Sequence, residues 1–230
     1  MSNCILIMGE SGTGKSRSIK NLNPKETYYI GVVDKDLPFK GARNSYKATK
    51  NGIPGNKCIS DNHSKIIQCL IHINAKMPHI KNIVIDDFQY LMFNEFMTKA
   101  TEKGFEKFTV IQQHAYDVLK MIASLRENLD CFVLSHTQVK DGVSRFKTLG
   151  NLLDDKITVE GLFTIVLHSI VENNQYKFLT QYTKNYLAKS PEDMFDSKLI
   201  ENDLQLVKTK MDEYYNEDIE FEVVEVSEAA

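Results

Sequence analysis

The apolar run Cys4–Met8 passes directly into Gly9-Glu10-Ser11-Gly12-Thr13-Gly14-Lys15-Ser16, and this junction constrains the chain more than any other feature. The run reads as a buried strand, and residues 15–22 read as a helix that stops near Pro24. Three glycines in the turn between them permit backbone conformations that other residues resist. A strand, a glycine-rich turn and a helix in that order aim consecutive backbone N–H groups at one point, which makes a cradle for an anion. In the pattern G-x-x-x-x-G-K-[ST], the lysine reaches the β- and γ-phosphates of a nucleoside triphosphate and the hydroxyl ligates Mg²⁺. The expected ligands are therefore ATP and Mg²⁺, held by Gly9, Glu10, Ser11, Gly12, Thr13, Gly14, Lys15, Ser16 and the adjoining Arg17, with Ser16 as a metal ligand.

A chain of 230 residues, 42% hydrophobic and 26% charged, is long enough for one large α/β domain. It has no run of about 18 apolar residues and no signal-peptide pattern at its start, so a cytoplasmic protein without a membrane partner is expected. Cys4, Cys58, Cys69 and Cys131 form no CxxC pair, and two of them lie in expected strands, which suits a reducing compartment. A metal alternative rests on Cys58, His63, Cys69 and His72, where Cys69 and His72 share a helix face but the spacing matches no usual zinc pattern. Of the net charge of −3, residues 211–230 carry −8 with no Lys or Arg, which leaves +5 on residues 1–210. A domain over 1–210 with an acidic tail over 211–230 is expected. A mildly basic body suits contact with a polyanion, with the tail competing for the same surface or merely solubilising the chain.

Further along, residues 27–33 alternate and read as a strand ending at Asp34-Lys35-Asp36, and residues 37–54 read as a long polar loop. Residues 61–76 read as a helix capped by Ser60 or Asp61. Residues 82–87, Asn-Ile-Val-Ile-Asp-Asp, form a short apolar strand that ends in two carboxylates. An acid at that place, downstream of a phosphate loop, is positioned to reach a Mg²⁺ shell from a neighbouring parallel strand, which makes Asp86 the second metal ligand. Residues 88–100 and 109–128 read as helices, and 131–135 as a buried strand closed by His136-Thr137. Residues 162–171 and 175–182 alternate around Glu172-Asn173-Asn174 and predict an antiparallel hairpin at the sheet edge. Residues 203–215 read as a last helix. Alternating strands and helices predict an α/β fold with a mostly parallel sheet, helices on both faces and the site at its carboxyl edge.

The order of phosphate loop, strand ending in acids, Asp-Asp strand, strand ending in His-Thr, basic loop and hairpin resembles the core of RecA-like recombinase ATPases. It is most similar to the short phage RecA-like single-strand annealing ATPases, over roughly residues 3–200. The resemblance implies a Mg-ATP-dependent ATPase that binds single-stranded DNA and promotes annealing or recombination as a homo-oligomer or filament, with a single-stranded-DNA-binding protein as a further partner. It implies catalytic roles for Lys15, for Asp34 as the carboxylate that activates water, with Asp87 as the competing carboxylate, and for His136 as a sensor of the γ-phosphate. It also implies that the loop over 138–156 binds DNA through Lys140, Arg145 and Lys147 around a base-stacking Phe146, and that Lys184 and Lys189 reach the ATP of an adjacent subunit. Two other functions fit the same loop. One is an AAA-type loader or remodelling ATPase acting on a replication protein, with Asp87 as the base. The other is a small-molecule kinase, which calls for an Arg-rich lid, whereas residues 138–156 hold a single Arg.

Overall fold

The computed structural model describes residues 2–50, 53–149 and 158–216. Its frame is an eight-stranded sheet. In chain order the strands are β1 (Cys4–Met8), β2 (Thr27–Gly31), β3 (Lys57–Ile59), β4 (Asn82–Asp86), β5 (Asp130–Ser135), β6 (Thr137–Lys140), β7 (Val143–Phe146), β8 (Ile165–Glu172), β9 (Gln175–Leu179) and β10 (Leu199–Glu201). The main sheet runs β10-β9-β8-β1-β5-β4-β2-β3, and β6 and β7 form a separate pair. From β8 to β3 every pairing is parallel, whereas β8–β9 and β9–β10 are antiparallel. The α/β class, the mostly parallel sheet and the C-terminal hairpin expected from sequence are all present.

Parallel strands buried on both sides carry apolar residues without alternation, and β1 shows why. Leu6 and Met8 face one core with Ile83, Ile85 and Val133, while Ile5 and Ile7 face a second core with Val84, Phe132 and Leu134. Helices α2 (His63–Lys76), α3 (Tyr90–Thr98) and α4 (Glu106–Ala123) cover the first face through Ile66, Leu70, Leu91, Ile111 and Val118. Helix α5 (Leu204–Tyr215) and a short 3₁₀ helix (Ser16–Asn21) cover the second through Leu204, Val207, Met211 and Ile19. Each such side chain, fully removed from water, contributes about 1.5–3 kcal/mol before entropy is counted. Arg126 ties the far end of α2 by donating to the carbonyls of Ile73, Asn74, Met77 and Ile80, which satisfies groups that the helix leaves open.

Several expectations change. Residues 16–21 are a 3₁₀ helix rather than an α-helix over 15–22. Helix α2 starts at His63, and its cap is Asn62, whose side chain accepts from Lys65 N, rather than Ser60 or Asp61. The polar loop over 37–54 contains a short helix, α1 (Ala42–Ser45), whose Ala42 is buried with Tyr46 in the second core. The division at residue 210 crosses α5: Met211 is fully buried, and Asp212 and Glu213 pair with Lys208 and Lys210 at 3.0 and 3.1 Å. The first charges of the acidic segment are thus spent within a packed helix. Residues 217–230 lie outside the described residues. Among the described residues, no helix is long and apolar enough to cross a membrane.

Candidate functional site

The carboxyl ends of β1, β2, β4 and β5 converge on a cleft of about 300 Å³ lined by Ser11, Gly12, Gly14, Lys15, Ser16, Arg17, Lys35, Pro38, Asp87, His136 and Tyr176. Gly12 and Gly14 take φ of +83° and +97°, which bends the chain after β1 back over the strand end. A Cβ on Gly9 would come within 2.6 Å of the Ser169 carbonyl, and one on Gly14 within 2.7 Å of the Tyr176 ring. The turn is held from β8, because Ser169 Oγ donates to the Thr13 carbonyl at 2.6 Å and itself accepts from Asn202 at 3.1 Å.

Lys15 is buried with its ammonium donating to the carbonyls of Gly9 and Glu10, each at 2.8 Å. Burial lowers its pKa to about 8, against the opposing pull of Asp86 and Asp87. Asp86 is completely buried, accepts from Tyr29 Oη at 3.2 Å and faces the Ser16 hydroxyl. Burial and the neighbouring Asp87 raise its pKa. Ser16 and Asp86 therefore meet although β5 lies between their strands, so the expected adjacency of β1 and β4 is replaced by a reach across one strand. Two neighbouring carboxylates, Asp87 paired with Lys35 and Asp86 with no direct ion pair among the described residues, stand beside the cations Lys15 and Arg17. A hydroxyl, a buried carboxylate and a glycine cradle are donors that suit a hard cation and its anionic partner.

Asp87 closes the arrangement. It adopts φ +61° and is 3% exposed, with Oδ2 2.5 Å from Lys35 Nζ and Oδ1 3.6 Å from His136 Nε2. Burial alone would raise this carboxyl, but His136 and Lys35 outweigh it and bring its pKa below the usual value. His136 is fixed by Gln89, whose Oε1 accepts from His136 N at 3.0 Å and from Ser135 Oγ at 3.2 Å.

The structure thus brings Lys15, Ser16, Asp86, Asp87 and His136 together, along with the turn and Arg17. Asp34 is different. It is exposed and does not line the cleft, because the chain leaving β2 turns Lys35 inward instead, while Asp36 pairs with Arg43. Lys35, Tyr29, Gln89, Ser169 and Tyr176 are site or supporting residues that sequence reasoning missed. Only Lys35, inside the Asp34-Lys35-Asp36 cluster, stood at a position already marked. Tyr176 forms the outer wall, with the Arg17 guanidinium 4.9 Å from its ring centre.

The basic loop expected over 138–156 is in its first part a hairpin, β6–β7, turned by Asp141 and Gly142 with φ +52° and +77°. An Asp-Gly pair with both residues at positive φ is the preferred tight turn, and that dipeptide is the signal that could have revealed it. Phe146 is 1% exposed and packs 6.2 Å from Phe88, so its ring is core and cannot stack a base. Lys147 lies 5.2 Å over Phe93, and Lys140 and Arg145 sit on the hairpin half-exposed. Residues 150–156, which complete the expected loop, lie outside the described residues. Lys184 and Lys189 are exposed. The segment around Lys184 runs beside β7, and Lys189 pairs through its backbone with Val166.

The suggested metal set also separates. His72 is exposed, Cys58 and Cys69 hydrogen-bond to each other, and His63 stacks on His114 with ring centres 3.6 Å apart. No protein-family model matches the chain, and no curated protein matches it either.

Proposed function

We propose that this chain is a Mg-ATP-dependent ATPase of RecA-like organisation, whose turnover is coupled to single-stranded DNA. The observation that carries the reading is the convergence of Lys15, Ser16, Asp86 and Asp87 on one glycine-lined cleft. The turn over 9–16 would hold the phosphates with its N–H groups, and Ser16 with Asp86 would hold Mg²⁺, which neutralises charge on the phosphates. Lys15, with its depressed pKa, gains full charge when an anion enters. Asp87 is too acidic to take a proton well near neutrality, since a general base works best with a pKa near the working pH. Its role is to orient the attacking water as an acceptor, with His136 and Lys35 setting its direction. Lys35, facing the cleft, places a cation where negative charge is carried by the oxygens of the transferred phosphoryl group.

DNA contact rests on charge. Lys140 and Arg145 on the β6–β7 hairpin contribute cations, without the stacking ring. Asp87 in the cleft and Asp34 outside it favour a second reading, the AAA-type loader, in which the carboxylate after the metal ligand handles the water.

The deciding measurement is phosphate release at saturating Mg-ATP, with and without a single-stranded oligonucleotide, for the wild type and for Lys15→Ala. Release by the wild type, raised by the oligonucleotide and lost in Lys15→Ala with an unchanged circular dichroism spectrum, is the expected result. Equal release by both proteins, or none by either, ends the ATPase reading. Release indifferent to the oligonucleotide and raised by a replication protein selects the loader.

A further inference from the structure

On the sheet face away from α5, three helices bring together side chains that no part of the proposed reaction uses. His63 opens α2, Glu95 lies in α3 and His114 lies in α4, with one potential ligand atom from each within 4.8 Å of the others. His114 Nδ1 lies 2.9 and 3.0 Å from the two Glu95 oxygens. All three side chains are half-buried, and His63 and Glu95 line a cavity of about 250 Å³ together with Asp61, Asn62, Asn94, Thr98 and Lys99, so solvent and an ion have access from that side.

We propose that His63, Glu95 and His114 form a binding site for a divalent transition-metal ion, with Zn²⁺ the best fit. Two imidazoles and one carboxylate are the borderline donor set of open zinc sites, which keep three protein ligands and leave a fourth position to water. Metal–ligand bonds of about 2.0–2.1 Å in a tetrahedron place donor atoms about 3.3 Å apart. The His114–Glu95 contact already lies inside that spacing, and rotation of the His63 ring out of its stack supplies the rest. Two charges oppose the ion: the positive end of α2, where His63 sits, and the Lys99 ammonium, 2.8 Å from Glu95 Oε1. Asp61 in the cavity and Asp117 near His63 offset them. Bound metal would join three helices that otherwise meet through apolar packing, the His114–Glu95 pair and the His63–His114 stack, and would stabilise the folded chain by mass action.

Lys99 makes the proposal separable from a plain ion-pair cluster. If Glu95 is a ligand, Lys99 competes with the metal and its removal tightens binding. If Glu95 serves only to pair with His114 and Lys99, Lys99→Met loosens the helices and does nothing for the metal.

The test is a Zn²⁺ titration of the full, chelator-stripped chain in millimolar Mg²⁺, which occupies oxygen sites, followed by calorimetry and by the visible spectrum of the Co²⁺ form. One Zn²⁺ per chain is expected, with affinity falling at least about 100-fold in His114→Ala and in His63→Gln, more than the loss of a mere supporting partner. Lys99→Met is expected to bind several-fold tighter, and the melting temperature should rise with Zn²⁺ in the wild type but not in His63→Gln. The double variant Cys58→Ser, Cys69→Ser should bind as the wild type does. Absence of stoichiometric binding, unchanged affinity in both histidine variants, unchanged or weaker binding in Lys99→Met, or loss of binding in the cysteine variant would each overturn the assignment.

Discussion

The ammonium of Lys35 lies 2.5 Å from the carboxylate of Asp87, an ion pair made between the ends of two adjacent parallel strands at the floor of the cleft. The pair sets both the charge of Asp87 and the direction in which it points. Its folded-state pKa is below the ordinary value, so its stabilising contribution is complete above the unfolded value and is lost as pH falls through the folded one. In Lys35→Met, burial is left less opposed and pushes the carboxyl up. Lys35 is itself part-exposed, which limits the cost. We expect Lys35→Met to lose on the order of 1–2 kcal/mol at neutral pH. Urea unfolding should show the gap to wild type closing as pH drops below about 4, the unfolded carboxyl's value, and on through the lower folded-state one. A gap that stays constant over that range would mean that another group is responsible.

The two carboxylates that the sequence left in competition are separated by position. Asp87 lines the cleft, and Asp34 does not. Under the ATPase reading, Asp87→Asn should slow single-turnover hydrolysis by about 10²-fold or more while ATP still binds, a loss typical of a positioned carboxylate. Asp34→Asn should turn over like the wild type. The reverse ranking would restore Asp34 as the water-activating group.

Gly12 and Gly14 both need positive φ, but only Gly14 is also crowded. Gly12→Ala should cost about 1–2 kcal/mol, the strain of a left-handed backbone alone. Gly14→Ala adds overlap with Tyr176 and should cost roughly 1–3 kcal/mol more. Paired denaturation curves measure the difference, and equal costs would show that the Tyr176 ring swings away freely.

Phe146 separates core from nucleic-acid contact. Phe146→Ala should lose about 3–5 kcal/mol of stability, as expected for emptying a buried aromatic site. Lys147→Ala should lose no more than about 1 kcal/mol, the worth of its place over Phe93. A Phe146→Ala protein as stable as the wild type but weaker on an oligonucleotide would reinstate the ring as a stacking platform.

The parts legible in the sequence are those set by short spacings. Cys4–Met8 followed by the glycine turn, Asn82–Asp86 followed by a second acid, and Asp130–Ser135 followed by His136 each announce a buried strand with polar groups at its carboxyl end. The three-residue strands β3 and β10 gave no such signal, because a run that short carries no periodicity. The β6–β7 hairpin did carry one, in Asp141-Gly142, set within a stretch whose Lys and Arg residues also fit a basic loop.

The chain's local pattern by itself determined that it would be an α/β molecule with a glycine-lined turn behind its first strand, because backbone sterics and burial on two faces act over a few residues. The tertiary structure alone decided which side chains share a space. Lys35 rather than Asp34 enters the cleft, Ser16 reaches Asp86 past an intervening strand, Phe146 turns into the core, and His63 leaves the cysteines for Glu95 and His114. Each of these depends on strand order and helix packing between segments tens of residues apart, which no local spacing encodes.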